Sequence, residues 1–178
     1  MRIVAGKHRG LVLYEFDADN IRPTSDRVRE NVFNKIQFLV PNSNVLDLFG
    51  GTGAVSLEFL SRGAAQVITC DNNKDSIKLI NKNFAKANEV SNLLIGDFSS
   101  LLNKLGNKKF DIIFLDPPYS TDYGEQAIKI IANNHLLAQE GIIIYEHLLD
   151  KKFDLPSRYE IYDYKKYGTI AVSFIRRK

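Results

Sequence analysis

The sequence is poor in the residues that make covalent or metal cross-links. Its one cysteine, Cys70, excludes an internal disulfide, and a lone thiol with three widely spaced histidines offers no clustered ligand set for zinc. A metal-free protein is expected. Long apolar runs are missing as well: none approaches the roughly 20 residues that a bilayer-crossing helix needs, and Met1 to Gly10 carries charges where a signal peptide would be apolar. The expectation is a cytoplasmic protein with no membrane partner. Internal repeats, low-complexity tracts and linkers long enough to divide the chain are absent too, which disfavours repeat arrays and separate modules.

What remains is ordinary globular material. The 178 residues are 44% hydrophobic and 25% charged, enough for one domain with a core and too apolar for global disorder. The formal charge of +3 hides an uneven arrangement. Residues 1–35 hold seven Lys/Arg against five Asp/Glu, residues 36–150 nine against thirteen, and residues 151–178 eight against three, so basic ends frame an acidic middle. Arg2, Lys7 and Arg9 stand beside His8 with no acid before Glu15, as in an arm that contacts phosphates. Arg176, Arg177 and Lys178 close the tail. Solvated surface is the plainer account of either cluster.

From Asn44 onward, short apolar runs alternate with amphipathic stretches, the pattern of a mainly parallel sheet with helices on both faces. Val45 to Phe49, Gln66 to Cys70, Asn92 to Ile95, Asp111 to Leu115 and Gly141 to Tyr145 read as buried strands. Ala54 to Ser61, Lys74 to Ala87, Phe98 to Leu105 and Tyr123 to Asn133 read as helices; in the second, Ile77, Ile80, Phe84 and Ala87 recur at helical spacing. Tyr159 to Tyr164 and Thr169 to Ile175 follow with no room for a helix between them, so an antiparallel hairpin should close a seven-stranded sheet. Ahead of this unit, residues 1–20 should form a basic hairpin extension turned at Lys7 to Gly10. Residues 21–178 then hold the main domain, opening with a helix from about Asp26 to Leu39 that Pro23, Thr24 and Ser25 start.

Asp47-Leu48-Phe49-Gly50-Gly51-Thr52-Gly53 closes the first parallel strand and opens a helix, where an open α/β sheet binds a nucleotide-like ligand. Asp71, followed by Asn72, comes twenty residues after Gly51 at the tip of the second strand, where an acid can accept from both ribose hydroxyls. A glycine loop alone is shared with structural turns; strand context and the spaced acid make it a nucleoside site. Asp47 would repel a pyrophosphate but suits a ligand carrying ammonium and sulfonium groups, which selects S-adenosylmethionine. Asp97 can accept from an adenine amino group while Phe98 covers the ring, or Asp97 can cap a helix.

Asp116-Pro117-Pro118-Tyr119 follows the fourth strand, so the sheet brings it beside the glycine loop. The lone pair of an exocyclic amine on a base is delocalised into the ring, and displacement at a methyl group needs that density on nitrogen and aimed. The Asp116 carboxylate can take one N–H and the Pro117 carbonyl the other, favouring the pyramidal nitrogen of the transition state. The prolines stiffen the platform, and Tyr119 can stack on a base drawn out of its helix.

These segments resemble the RsmD family of bacterial 16S ribosomal RNA guanine-N2 methyltransferases over nearly the whole chain. The resemblance is carried by Met1 to Leu11, Arg22-Pro-Thr-Ser-Asp-Arg-Val-Arg-Glu-Asn-Val-Phe33, Val45 to Gly53, Ser61 to Ala64 and Asp116 to Tyr119. It implies a Rossmann-like class I methyltransferase fold acting on a guanine amine of 16S rRNA, within an assembled or partly assembled small ribosomal subunit. It also implies that Arg22, Pro23, Thr24 and Arg27 lie near the methionine end of S-adenosylmethionine and the target pocket, Arg22 and Thr24 on the cofactor and Arg27 on RNA. Lys7, His8 and Arg9 match the family's rRNA-contacting hairpin. Gly50 stands where relatives often have Ala, and Asp71 where Glu is common. Cys70 falls inside a strand and reads as core packing rather than a covalent nucleophile.

Two other functions fit parts of the pattern. A DNA amino-methyltransferase, acting on adenine N6 or cytosine N4, uses the same grip on nitrogen, but no residues remain for a groove-reading module. A non-catalytic RNA-binding assembly factor fits the basic ends, and the intact Asp-Pro-Pro-Tyr segment counts against it.

Overall fold

The computed structural model describes residues 1–17 and 26–178. In chain order the elements are α1 (Asp26–Lys35), β1 (Asn44–Asp47), α2 (Ala54–Ser61), β2 (Gln66–Asp71), α3 (Lys74–Lys86), β3 (Leu93–Ile95), α4 (Phe98–Lys104), β4 (Phe110–Leu115), α5 (Tyr123–Asn133), β5 (Leu137–Leu148), β6 (Tyr159–Tyr167) and β7 (Ile170–Arg177). The strands pair in the order β3-β2-β1-β4-β5-β7-β6. β1 to β5 are parallel, and β7 runs antiparallel between β5 and β6. The parallel sheet closed by an antiparallel hairpin is the one expected from the alternation of strands and helices, and it has the Rossmann-like class I methyltransferase architecture that the resemblance implied. The chain moves outward from β1 through β2 to β3 and then returns to the other side of β1 with β4. That reversal opens a crevice at the carboxyl ends of β1 and β4.

Period-two alternation divides the core between the two faces of the sheet. Ile113 and Leu115 of β4 face Leu101 and Leu102 of α4 and Ala127, Ile128 and Ile131 of α5. Their neighbours Ile112 and Phe114 face Val28, Val32 and Phe33 of α1, together with Phe59 of α2. Cys70 lies in the first of these layers at 1% exposure, and burial pushes its thiol up to about 12, which leaves it unreactive. Among the described residues no helix is long and apolar enough to cross a membrane.

Most strands shift by three residues or fewer at an end, β1 stopping at Asp47 and β6 running on to Tyr167, while α1 and β5 depart by four. α1 stops at Lys35; Ile36 and Val40 still reach the core from the turns that follow, while Phe38 at 89% exposure has no core to face. β5 starts four residues before Gly141, because a register shift between Phe110 and Ile112 lets Leu137 pair with Phe110 despite the turn-like Gln139-Glu140-Gly141.

The N-terminal hairpin is a single antiparallel bridge, Arg2 to Val12, rather than two full strands. Its hold on the body combines side-chain contacts with a main-chain bond from Lys7 N–H to Ser61 O (2.9 Å). Ile3 and Leu13 are buried against Leu57, Ile80 and Phe84. The Glu58 carboxylate, fully buried on α2, accepts from the backbone N–H of Val4 (2.8 Å) and Ala5 (3.1 Å) and from Arg62 Nε (2.7 Å). Gly6 passes so close to α2 that a Cβ there would fall 1.8 Å from the Ser61 carbonyl oxygen. The start of the pattern Pro23-Thr24-Ser25 lies outside the described residues.

Candidate active site

The crevice between the tips of β1, β2, β3 and β4 is a cleft of about 530 Å³. Of the cofactor residues expected from sequence, Phe49, Gly51, Asp71, Asn72, Asp97 and Phe98 line it, and so do Asp116, Pro117 and Tyr119 of the Asp-Pro-Pro-Tyr segment. The two motifs, more than sixty residues apart in sequence, thus share one chamber. Asp47, Gly50, Thr52 and Gly53 do not line it. Gly53 holds a left-handed conformation (φ 80°) at the start of α2, which lets the loop turn sharply into the helix. Arg22 and Thr24 lie outside the described residues.

Each acid at a strand tip is held differently. Asp71 fastens the glycine loop to β2: its Oδ2 accepts from Gly51 N–H (2.9 Å) and its Oδ1 from Asn73 N–H (2.8 Å). Asp97 caps α4 by accepting from Ser100 N–H (3.1 Å) and the Ser99 hydroxyl (2.5 Å), and the Ser99 bond leads in holding its carboxyl below the usual range. It still faces the cleft, so the two readings of Asp97 are compatible. Asp47 points away from the chamber, toward α2, at 1% exposure. Burial pushes its carboxyl up to about 7, opposed by a hydrogen bond from Ser56 Oγ (2.6 Å) and reinforced by the charges of Asp116 and Asp71.

The chamber suits S-adenosylmethionine on chemical grounds. Asp71, Asp97 and Asp116 are its charged lining, and among the described residues no Lys or Arg faces it, an environment favourable to ammonium and sulfonium groups and hostile to a pyrophosphate. The rings of Phe49 and Phe98 stand 5.5 Å apart between centroids, and Phe98 meets Tyr123 at 5.0 Å, an aromatic wall on which an adenine can lie. Among the described residues no group of His, Cys, Asp or Glu is placed to hold a metal.

Several residues of the site were not anticipated. Phe16, from the segment after the hairpin, and Tyr123, at the start of α5, also line the cleft. The Tyr119 hydroxyl donates to the carboxylate of Glu146, a residue at the end of β5 that is 1% exposed. Its signal was an acid closing a long apolar run, the same position that Asp47, Asp71 and Asp116 occupy in their strands. Beyond Tyr119 lies a second cavity of about 480 Å³, bounded by residues 119–121, 148–151 and the Gly168-Thr169 turn. His147 is buried against Tyr145 and bonded to Ser173 Oγ (2.8 Å), a packing role.

The basic residues lie apart from the chamber. Lys7 and His8 both meet the Glu89 carboxylate, at 2.5 and 2.6 Å. Arg9 borders a separate hollow of about 310 Å³ with Arg2, Asp26 and Glu30, and Arg27 is exposed on α1. The buried Asn83 of α3 ties this region to the glycine loop: its Nδ2 donates to Thr52 O (2.8 Å) and Tyr14 O (3.0 Å), and its Oδ1 accepts from Tyr14 N–H (2.8 Å).

Comparison with known proteins gives consistent neighbours. The model of the family described as "Conserved hypothetical protein 95" matches residues 1–176. A protein of Haemophilus influenzae named "Ribosomal RNA small subunit methyltransferase D" is 32% identical, the match covering 96% of this chain and 91% of that one. Its Escherichia coli namesake is 30% identical, with 100% and 90% covered. The solved structure of the Escherichia coli protein yhhF superposes with a TM-score of 0.88 at 29% identity, covering 100% of this chain and 98% of that chain.

Proposed function

The chain belongs to the conserved hypothetical protein 95 family, is related to S-adenosylmethionine-dependent methyltransferases, and on that premise we propose that it methylates the exocyclic N2 amine of a guanine in 16S rRNA. The observation that carries the reading is that Asp116 and Pro117 open into the same chamber as Asp71 and Asp97. Relatives named for the small ribosomal subunit supply the substrate class. The reading puts the protein in the cytoplasm, with assembled or partly assembled small subunits as its partner.

S-adenosylmethionine supplies an electrophilic methyl group. In this reading Asp71 accepts from the ribose hydroxyls, with Asn72 beside it, and Asp97 accepts from the adenine amino group against Phe98 and Phe49. Gly50, Gly51, Thr52 and Gly53 shape the loop, Asp47 lies beneath it, and Arg22 and Thr24 serve the methionine end. The target guanine enters past Tyr119, where the second cavity has the volume for a nucleobase. Asp116 and the Pro117 carbonyl accept its two amino protons, aiming the nitrogen lone pair along the line of displacement. Asp116, or water beside it, would take the extra proton of the methylated amine. Lys7, His8, Arg9 and Arg27 hold surrounding RNA.

Asp116→Ala should abolish methyl transfer from labelled S-adenosylmethionine to separated small subunits while leaving cofactor affinity within severalfold. Retained turnover would reject the role given to Asp116. Mass spectrometry of nucleosides from the labelled RNA names base and atom; label on adenine or cytosine, or no label despite RNA binding, would overturn the guanine reading.

A further inference from the structure

One charged surface takes no part in the site described above. Lys74, Lys78, Lys82 and Lys86 recur every fourth residue along α3, all exposed, opposite the face that buries Ile80 and Phe84. Four-residue spacing sets them on one side of the helix, and at a rise of about 1.5 Å per residue the row is about 18 Å long. A solvated helix face usually mixes signs in neighbouring turns. Here Asp75 is the one acid within the helix, paired with Lys78 at 3.3 Å, and among the described residues Lys74, Lys82 and Lys86 form no ion pair.

A second observation gives the row a direction and an aromatic stop. Tyr14 is 50% exposed, with Lys86 Nζ 4.5 Å and Lys82 Nζ 6.0 Å from its ring centre. Asn83 holds both its N–H and its carbonyl, so the ring stands on a fixed backbone. One end of α3 opens at the cleft, where Asn73 and Ser76 line the chamber, and the other ends near Glu89, where Lys7 and His8 of the hairpin meet. The row therefore joins hairpin to chamber. Spaced cations beside an exposed aromatic ring on a fixed backbone are what an unpaired strand requires: phosphates meet the charges and a base stacks on the ring.

We propose that the lysine row of α3, with Tyr14 as its stacking platform, holds the RNA strand that flanks the target nucleotide. The inference rests on the methyl-transfer reading and extends it to the surface that guides the substrate. An acidic protein would meet the charges but leave the tyrosine ring without a stacking partner.

The test compares wild type with the triple variant K78A/K82A/K86A, and with Y14A and Y14F, in binding a labelled, unstructured RNA of about 20 nucleotides across a salt series. S-adenosylmethionine binding reports that each variant is folded. At about 0.7 per phosphate for single strands, three lost contacts should flatten the slope of log affinity against log salt by about 2 and weaken binding about 100-fold near 0.1 M salt. Y14A should lose roughly tenfold with no change of slope, and Y14F should recover it. Unchanged affinity and slope in the triple variant, with wild type still binding RNA and labelling small subunits, would overturn this inference alone. If wild type neither binds RNA nor labels particles, the proposed function fails and takes this surface with it.

Discussion

Replacing Asp47 with asparagine should alter how stability depends on pH, in a direction that follows from burial. In the folded chain the Asp47 carboxyl titrates at about 7, because its anion is disfavoured away from water, against 3.8 for an ordinary aspartate. Between these values the folded state keeps a proton that the unfolded state has lost. Wild-type stability therefore falls as pH rises through this window, by about 1.4 kcal/mol per pH unit. Below the window both states are protonated, above it both are ionised, and this group contributes no slope. Asparagine has no titration there, its carbonyl can still accept the Ser56 hydroxyl, and groups that do not interact with Asp47 cancel in the difference, leaving only the smaller coupling to Asp116 and Asp71. From about pH 5 to about pH 8 the stability difference should move by roughly 2 to 3 kcal/mol in favour of Asp47→Asn. Urea unfolding at intervals across this range, with the slope against denaturant checked for constancy, measures it. Profiles that stay parallel within about 0.5 kcal/mol would refute the claim that the buried acid carries a proton into the neutral range.

Two further outcomes follow from close contacts. A Cβ at Gly50 would lie 2.5 Å from Thr69 Cγ2, so Gly50→Ala should cost about 1 to 3 kcal/mol in thermal unfolding. Adding Thr69→Ser, which removes that methyl and keeps the hydroxyl 2.7 Å from Ser56 Oγ, should restore most of the loss; a double variant no better than the single would count against the steric account. At the other motif, Tyr119→Phe and Glu146→Ala break one hydrogen bond from either side, so their effects on kcat should overlap, with a coupling of about 1 kcal/mol. Additive losses would mean that Glu146 does not act through the tyrosine.

The fold was readable because its strands are short apolar runs closed by polar residues, and α2 and α5 match expectation at both ends. What escaped was set by contacts between distant segments. β5 runs through Gln139-Glu140-Gly141 because it bulges there itself, five steps from Leu137 to Ile142 facing two from Phe110 to Ile112 of β4, which no local pattern announces. Asp47 read as a carboxylate facing the ligand, yet strand alternation turns it, like Val45, toward the layer of α1 and α2, where Ser56 waits. Phe16 reaches the cleft only because the hairpin packs on α2 and α3, a tertiary fact. The α3 lysines were visible as residues, but their meaning depended on Tyr14 arriving from sixty and more positions away.

Asn83 grips residue 14 by its main chain and the glycine loop by a carbonyl, so its hold is blind to which side chain stands at either place. Position 14 is thereby free to trade one ring for another without loosening the arm, whereas position 83 has no comparable latitude. A single amide sets the two apart, leaving the exposed ring open to exchange while the frame that carries it stays put.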